Sequence, residues 1–279
     1  MQAAFHLQRG STPILVSMPH VGTHIPERIA QQLLPIAQQK ADTDWHLPLL
    51  YDMLSEMGIS TVQATHSRYV IDLNRPKDDV NLYPGQDTTG LCPLDTFAKE
   101  ALYRVGKEPN AAEVNQRVSD HWQAYHDTLE QELQRIRAEH GIAILWDAHS
   151  IASHVPRFFQ GRLPDLNFGT ANGNACADSL QTALAHCLEN AASANPDSAY
   201  THVFNGRFKG GYITRHYGQP QANIHAVQLE MSQCVYMDEA APYAYRPDLA
   251  QKVQPLLRTL LHTCQTWANA WKKENGTVL

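Results

Sequence analysis

Residues 142–150 read IAILWDAHS. Five apolar residues, Ile142 to Trp146, follow Gly141 without a polar break, and the run then stops in Asp147, His149 and Ser150. An unbroken apolar run of this length suits a strand buried on both faces, the habit of parallel sheets covered by helices. In open α/β sheets, ligands bind beyond the carboxyl ends of the strands. The stretch therefore predicts a hidden strand that delivers an Asp, a His and a Ser to a pocket rim. A histidine that only caps the strand is the other reading the stretch allows.

Other parts of the sequence repeat the pattern. Residues 13–18 (PILVSM) are a short apolar run that also stops at a histidine, in Pro19-His20-Val21-Gly22-Thr23-His24. Histidines in loops at strand ends are natural metal ligands or acid–base groups; two of them in the same kind of place favour a metal. Residues 59–64 and 200–204 read as further strands. Residues 224–232 (IHAVQLEMS) read as the last, with Glu230 near its carboxyl end among apolar neighbours. A carboxylate in such surroundings needs a partner.

Over residues 111–140, Val114, Val118, Trp122, Tyr125, Leu129, Leu133 and Ile136 recur at spacings of three and four, and Gly141 supplies the stop. A long helix feeding a buried strand is a βαβ pattern and predicts a mainly parallel sheet. Further helices are expected over 27–40 (disturbed by Pro35), 47–57, 175–194 and 249–271. Residues 80–92 and 151–173 are expected as loops, and a loop as long as the second is usually functional. No repeat or linker divides the 279 residues, so one domain over 1–279 is expected.

Bulk properties exclude several functions. A net charge of −6 gives no electrostatic footprint for nucleic acid, and no apolar run approaches a membrane span. The N-terminus has no apolar signal region. The five cysteines are odd in number, widely spaced and without a CxxC pair. That points to reduced thiols in a cytoplasm rather than a disulfide frame.

The remaining candidates are polar. Asp44, in TDWH, is either a helix N-cap or a carboxylate ligand. Arg68 and Arg75 flank an apolar run, with Asn74 beside the second, and suit an anion clamp; two surface ion pairs are the alternative. The glycines and basic residues of NGRFKGGYITRHYG, 205–218, suit a backbone that closes over an anionic ligand, or else a plain hairpin. Catalytic zinc takes three N/O protein ligands and leaves a place for water. A glutamate that is not a ligand can serve as base, and an arginine can stabilise an oxyanion. HExxH is absent, so any ligands are scattered along the sequence.

The strings SMPHVGTHIP, TDWH, SRYVIDLNRP, WDAHS, GRLPDLNFGT, GGYITRHYG and QLEMSQ, spread from about residue 14 to about 236, resemble those of the N-formylglutamate amidohydrolase family. This is the deformylase family of histidine breakdown. The resemblance implies an α/β fold: a three-layer α/β/α sandwich with a mixed, mostly parallel sheet, as in zinc carboxypeptidases and the aspartoacylase and succinylglutamate desuccinylase group. It also implies a cytoplasmic zinc enzyme that hydrolyses N-formyl-L-glutamate, a small dicarboxylate, to glutamate and formate. Iron, cobalt or manganese would suit the same donors.

At matching positions the resemblance implies His20 and His149 as metal ligands, and Asn74 and Arg75 for a substrate carboxylate. It implies Arg68 for the scissile carbonyl and Glu230 as general base. The HxxE of the peptidase-like relatives is missing, because Thr23 stands where its glutamate would be. Asp44 is the expected third ligand, with His24 as the alternative. Arg215 is expected at the second carboxylate, on charge and loop context rather than a motif match. A desuccinylase- or aspartoacylase-like deacylase and a non-catalytic binder of acidic small molecules are the competing functions.

Overall fold

The computed structural model describes residues 3–194 and 199–275. Its strands in chain order are β1 (Phe5–Gln8), β2 (Ile14–Met18), β3 (Ser60–Ala64), β4 (Ala143–Ile151), β5 (Leu166–Gly169), β6 (His202–Phe204) and β7 (Ile224–Ser232). Its α-helices are α1 (Glu27–Ala30), α2 (Leu47–Leu50), α3 (Ala111–Arg117), α4 (Gln123–His140), α5 (Asp178–Ala194), α6 (Tyr212–Tyr217) and α7 (Pro247–Asn275). The strands form one sheet in the order β1-β3-β2-β4-β7-β5-β6. Neighbours are parallel except at β1–β3 and β5–β7. The mixed, mostly parallel sheet is therefore the one expected.

Side-chain alternation divides the core into two layers. Ile14, Val16, Ile144, Trp146, Val227 and Leu229 point to one face and pack with residues of α2, α5 and α7. Leu15, Val62, Ala143, Leu145 and Ala226 point to the other, under α4 and α6. All nine residues of β4 and all nine of β7 are buried. The result is a sandwich of helices, sheet and helices. Among the described residues, no helix is long and apolar enough to cross a membrane.

The structure departs from the pattern-based expectations where elements are short or polar. β4 runs on through Asp147 and His149 to Ile151, so both lie on the strand rather than past its end. The 111–140 helix is continuous but contains a π-helical turn, Val118–Trp122, between α3 and α4. The expected 27–40 helix is reduced to four-residue α1 and a 3₁₀ turn at Pro35–Gln39, which starts with the proline. β5 lies in a segment read as a loop, and α6 in one read as a backbone closing over an anion or as a hairpin. β1 extends the sheet beyond the expected strands.

The connection from β3 to α3, residues 65–110, contains no helix or strand, yet it carries Arg68, Asn74 and Arg75. Polar anchors hold it. The fully buried Arg117 of α3 donates to Val70 O (2.9 Å), Tyr103 Oη (2.8 Å) and Glu113 (2.8 Å). Hydrogen bonds from charged groups are worth roughly 1.5–3 kcal/mol each, so this arginine can fix a loop that lacks its own ladder.

Candidate active site

On the α4–α6 face, the apolar lining stops partway along the two central strands. After Leu145 the next residues of β4 on that face are Asp147 and His149; after Ala226, those of β7 are Gln228 and Glu230. The parallel register sets His149 beside Glu230 and Asp147 beside Gln228. Ser150, of the opposite parity, is carried away from this cluster, and its hydroxyl accepts from Tyr236 Oη at 2.7 Å. The expectation that it joins the Asp and His at the pocket is corrected by the pleat.

Two loops complete the cluster. His20 follows β2, and its carbonyl accepts the Asp44 N–H at 3.0 Å, which ties the two segments together. Gly22 is needed just beyond: a Cβ there would lie 2.3 Å from the His66 carbonyl oxygen. The cap of α2 is His46, so Asp44 is not an N-cap. One of its carboxylate oxygens, Oδ2, lies 3.1 Å from His149 Nδ1 and 3.7 Å from His20 Nδ1. Ligand atoms from His20, Asp44 and His149 lie within 4.8 Å of one another, and all three residues are buried.

The far nitrogen of each imidazole meets another carboxylate. His20 Nε2 is 2.7 Å from Asp72 Oδ1, and His149 Nε2 is 3.1 Å from Asp147 Oδ2. A proton on His20 Nε2 satisfies its pair and leaves the Nδ1 lone pair facing Asp44, while His149 Nε2 is shared between Asp147 and the N–H of the Asn74 amide. Carboxylates placed this way orient ligand histidines and strengthen them as donors. The donor set therefore fits a divalent transition metal: two nitrogens and one carboxylate oxygen, with the remaining positions open. The charge balance fits too. Burial works against a charged His149, but Asp147 and Asp44 outweigh it and hold its pKa well above the usual value. Burial would raise the Asp44 pKa, yet hydrogen bonds to His149 and His20 bring it down to about 2. The cluster favours positive charge at its centre.

A cavity opens over this cluster, lined by His20, His149, Glu230, Arg68, Arg75 and Arg207 together with the rings of Tyr83, Phe97, Phe158 and Phe208. Arg68 is held by Asp72 at 2.6 Å and lies over the Phe97 ring at 4.7 Å. Burial, with added repulsion from Asp44 and Asp147, lifts the Glu230 pKa to about 8 against the pull of His149 and Arg68. Asn74 lines the cavity, but its amide is engaged within the protein. Its Oδ1 accepts from Ile213 N at 2.8 Å, while its Nδ2 lies 2.9 Å from His149 Nε2. Gly211 makes room for that amide, since a Cβ there would lie 2.5 Å from it.

The family model for N-formylglutamate amidohydrolase matches residues 12–237. The chain belongs to this family. Over 267 residues it is 50% identical to an N-formylglutamate deformylase of Pseudomonas aeruginosa, covering 96% of this chain and 98% of that one. With the N-formylglutamate deformylase of Pseudomonas putida the identity is 46%, over 96% and 97% of the two chains. Its fold matches the crystal structure of an N-formylglutamate amidohydrolase from Ralstonia eutropha, with a TM-score of 0.78 at 21% identity over 98% and 100% of the chains. A gene product of Agrobacterium tumefaciens matches with a TM-score of 0.67 at 16% identity, over 95% and 96%.

In this member of the N-formylglutamate amidohydrolase family, two expectations give way. His24, the alternative third ligand, packs its ring against His66 with centroids 4.9 Å apart and stands outside the His20–Asp44–His149 group. Arg215 does not line the cavity. Its Nε donates to Gly210 O at 2.8 Å, and its guanidinium rests over the Tyr83 ring at 4.9 Å. The cavity instead receives Arg207, from the glycine-rich segment that had suggested an anion site. Asp72 was given no role from sequence, and Asp147 was expected only at the pocket rim; each stands two residues before Asn74 or His149.

Proposed function

We propose that this chain is a metal-dependent amidohydrolase that hydrolyses N-formyl-L-glutamate to L-glutamate and formate, with one zinc ion held by His20, Asp44 and His149. The observation that carries the reading is the convergence of one ligand atom each from His20, Asp44 and His149 within 4.8 Å, with Glu230 beside His149 in the sheet. When bound, the ion supplies Lewis acidity toward the formyl carbonyl and an acidified water.

The residues then divide the work. Asp72 holds the His20 imidazole with Nδ1 toward the cluster, and Asp147 orients that of His149. Glu230 takes a proton from the attacking water and returns it to the leaving nitrogen as the C–N bond breaks. Its raised pKa suits both transfers near neutral pH. Arg68, fixed by Asp72, faces the charge that develops on the carbonyl oxygen. Arg75 binds a substrate carboxylate, which orients the formyl group toward the water. Asn74 positions His149. All five cysteines are free thiols, which supports a reducing, cytoplasmic setting, and we read residues 1–279 as one catalytic domain.

The test is metal content measured together with formate release. The purified chain is expected to hold one ion, to release formate from N-formyl-L-glutamate and to lose turnover on chelation. It should prefer the formyl group over acetyl and succinyl. Turnover that survives complete metal removal, or no formate after zinc is added, would refute the reading.

A further inference from the structure

We propose that Arg207 binds the side-chain carboxylate of the acylated amino acid and thereby makes the site selective for a doubly negative substrate. This rests on the amidohydrolase reading above and assigns its second anion subsite.

The cavity receives three guanidinium groups, and they are not equivalent. Arg68 is neutralised by Asp72 at 2.6 Å. Arg75 and Arg207 have no ion-pair partner among the described residues. Arg75 donates to Thr89 O (2.8 Å), Asn74 O (3.3 Å) and Thr89 Oγ1 (3.4 Å). Arg207 donates from Nε to Phe158 O at 2.8 Å and from Nη2 to Asp87 O at 3.2 Å. Its Nη1 makes no hydrogen bond to the described residues. Two half-buried cations in one cavity, neither with a carboxylate, are an unfavourable arrangement for an empty protein; burial, and then the charge of Arg75, disfavour the charged form of Arg207. A ligand with two carboxylates removes that penalty.

Arg207 is also held rigid. Its guanidinium lies 5.2 Å from the Tyr83 ring, 5.4 Å from Phe158 and 5.4 Å from Phe208. The two backbone acceptors come from separate loops. A guanidinium fixed in this way loses little freedom when an anion arrives. Position divides the two arginines. Arg75 follows Asn74, whose amide touches His149, and its charge acts on Asp72, the carboxylate that pairs with His20, whereas Arg207 hangs from Phe158 and Asp87. In an N-formyl amino acid the α-carboxylate is the one near the formyl carbon, and in formylglutamate the second carboxylate lies two methylenes farther out. The nearer anion thus falls to Arg75 and the farther one to Arg207.

The test compares wild type, R207Q and R207K, all zinc-loaded, on three substrates. These are N-formyl-L-glutamate, N-formyl-L-glutamine (side-chain charge removed) and N-formyl-L-isoglutamine (α-charge removed). R207Q is expected to lower kcat/KM for formylglutamate about 100-fold, mainly through KM, as loss of a charge-assisted pair implies. Formylglutamine should change by less than about threefold, and R207K should recover part of the loss. Calorimetry reads the same preference without turnover: wild type should bind L-glutamate more tightly than L-glutamine, and R207Q should bind them alike. Equal losses on formylglutamate and formylglutamine, a loss that tracks the α-carboxylate, or an unchanged glutamate preference in R207Q would overturn the assignment. A wild type that binds glutamate through Arg207 yet releases no formate would contradict the amidohydrolase reading and leave the subsite standing.

Discussion

His149 of β4 and Glu230 of β7 face each other across a parallel pairing that spans nine residues of each strand. The longest ladder in the sheet thus fixes one of the three clustered donors beside a buried carboxyl. Glu230 is not one of the three clustered donors. Glu230→Gln should therefore keep a full metal complement while kcat falls by about 10²–10⁴. Metal analysis with steady-state formate release checks both halves.

The same glutamate sets the pH dependence. Burial raises its pKa to about 8 without an ion, and a nearby cation opposes that rise. Because the proposed base acts only when deprotonated, kcat/KM should increase with pH. The midpoint of this limb should fall between the ordinary glutamate value of about 4.3 and about 8. In Glu230→Gln the limb should vanish.

Asp72 and Asp147 should matter without touching substrate. Asp147→Asn should weaken metal affinity about 10–100-fold, measured by competition with a chelator. Asp72→Asn should do the same and also lower stability by about 3–5 kcal/mol, because it leaves Arg68 buried and unpaired. Chelator competition and denaturant unfolding would separate the two variants.

Buried neutral histidines should make the fold acid-labile. His126 is pushed down to about 3 by burial, and His225 to about 4 by burial. His225 Nδ1 accepts the Ala177 N–H at 3.1 Å and cannot be protonated without losing that bond. A depressed histidine pKa means the unfolded chain binds the extra proton. Stability is therefore complete above the unfolded value of about 6.5 and is lost as pH falls toward the folded values. Each residue should contribute a slope of up to about 1.4 kcal/mol per pH unit in that window. Thermal melts from pH 7 to 4 should show it, and His126→Gln should flatten it.

Long buried elements were legible in the sequence. β2 and β4 announce themselves as apolar runs, β7 as apolar residues interrupted by His225, Gln228 and Glu230, and the α3–α4 helix by its period. β5 was not, because Leu166–Gly169 is a four-residue strand inside a proline- and glycine-rich segment. α6 is six residues long and follows two glycines. His20, Asp44 and His149 could be nominated from residue type and position, but only the pleat of β4 separates His149 from Ser150. The choice between Arg207 and Arg215 was out of reach. They share one basic segment and both lie near the Tyr83 ring; what sets Arg215 apart is its hydrogen bond to the Gly210 carbonyl.

The proposed chemistry requires one cation among His20, Asp44 and His149. The most direct measurement is anomalous diffraction at the metal edge from crystals of the metal-loaded protein. One peak is expected, bonded by both Nδ1 atoms and the Asp44 carboxylate at about 2.0–2.2 Å, with Asp72 and Asp147 on the Nε2 sides. A peak elsewhere, or ligation through Nε2, would contradict it.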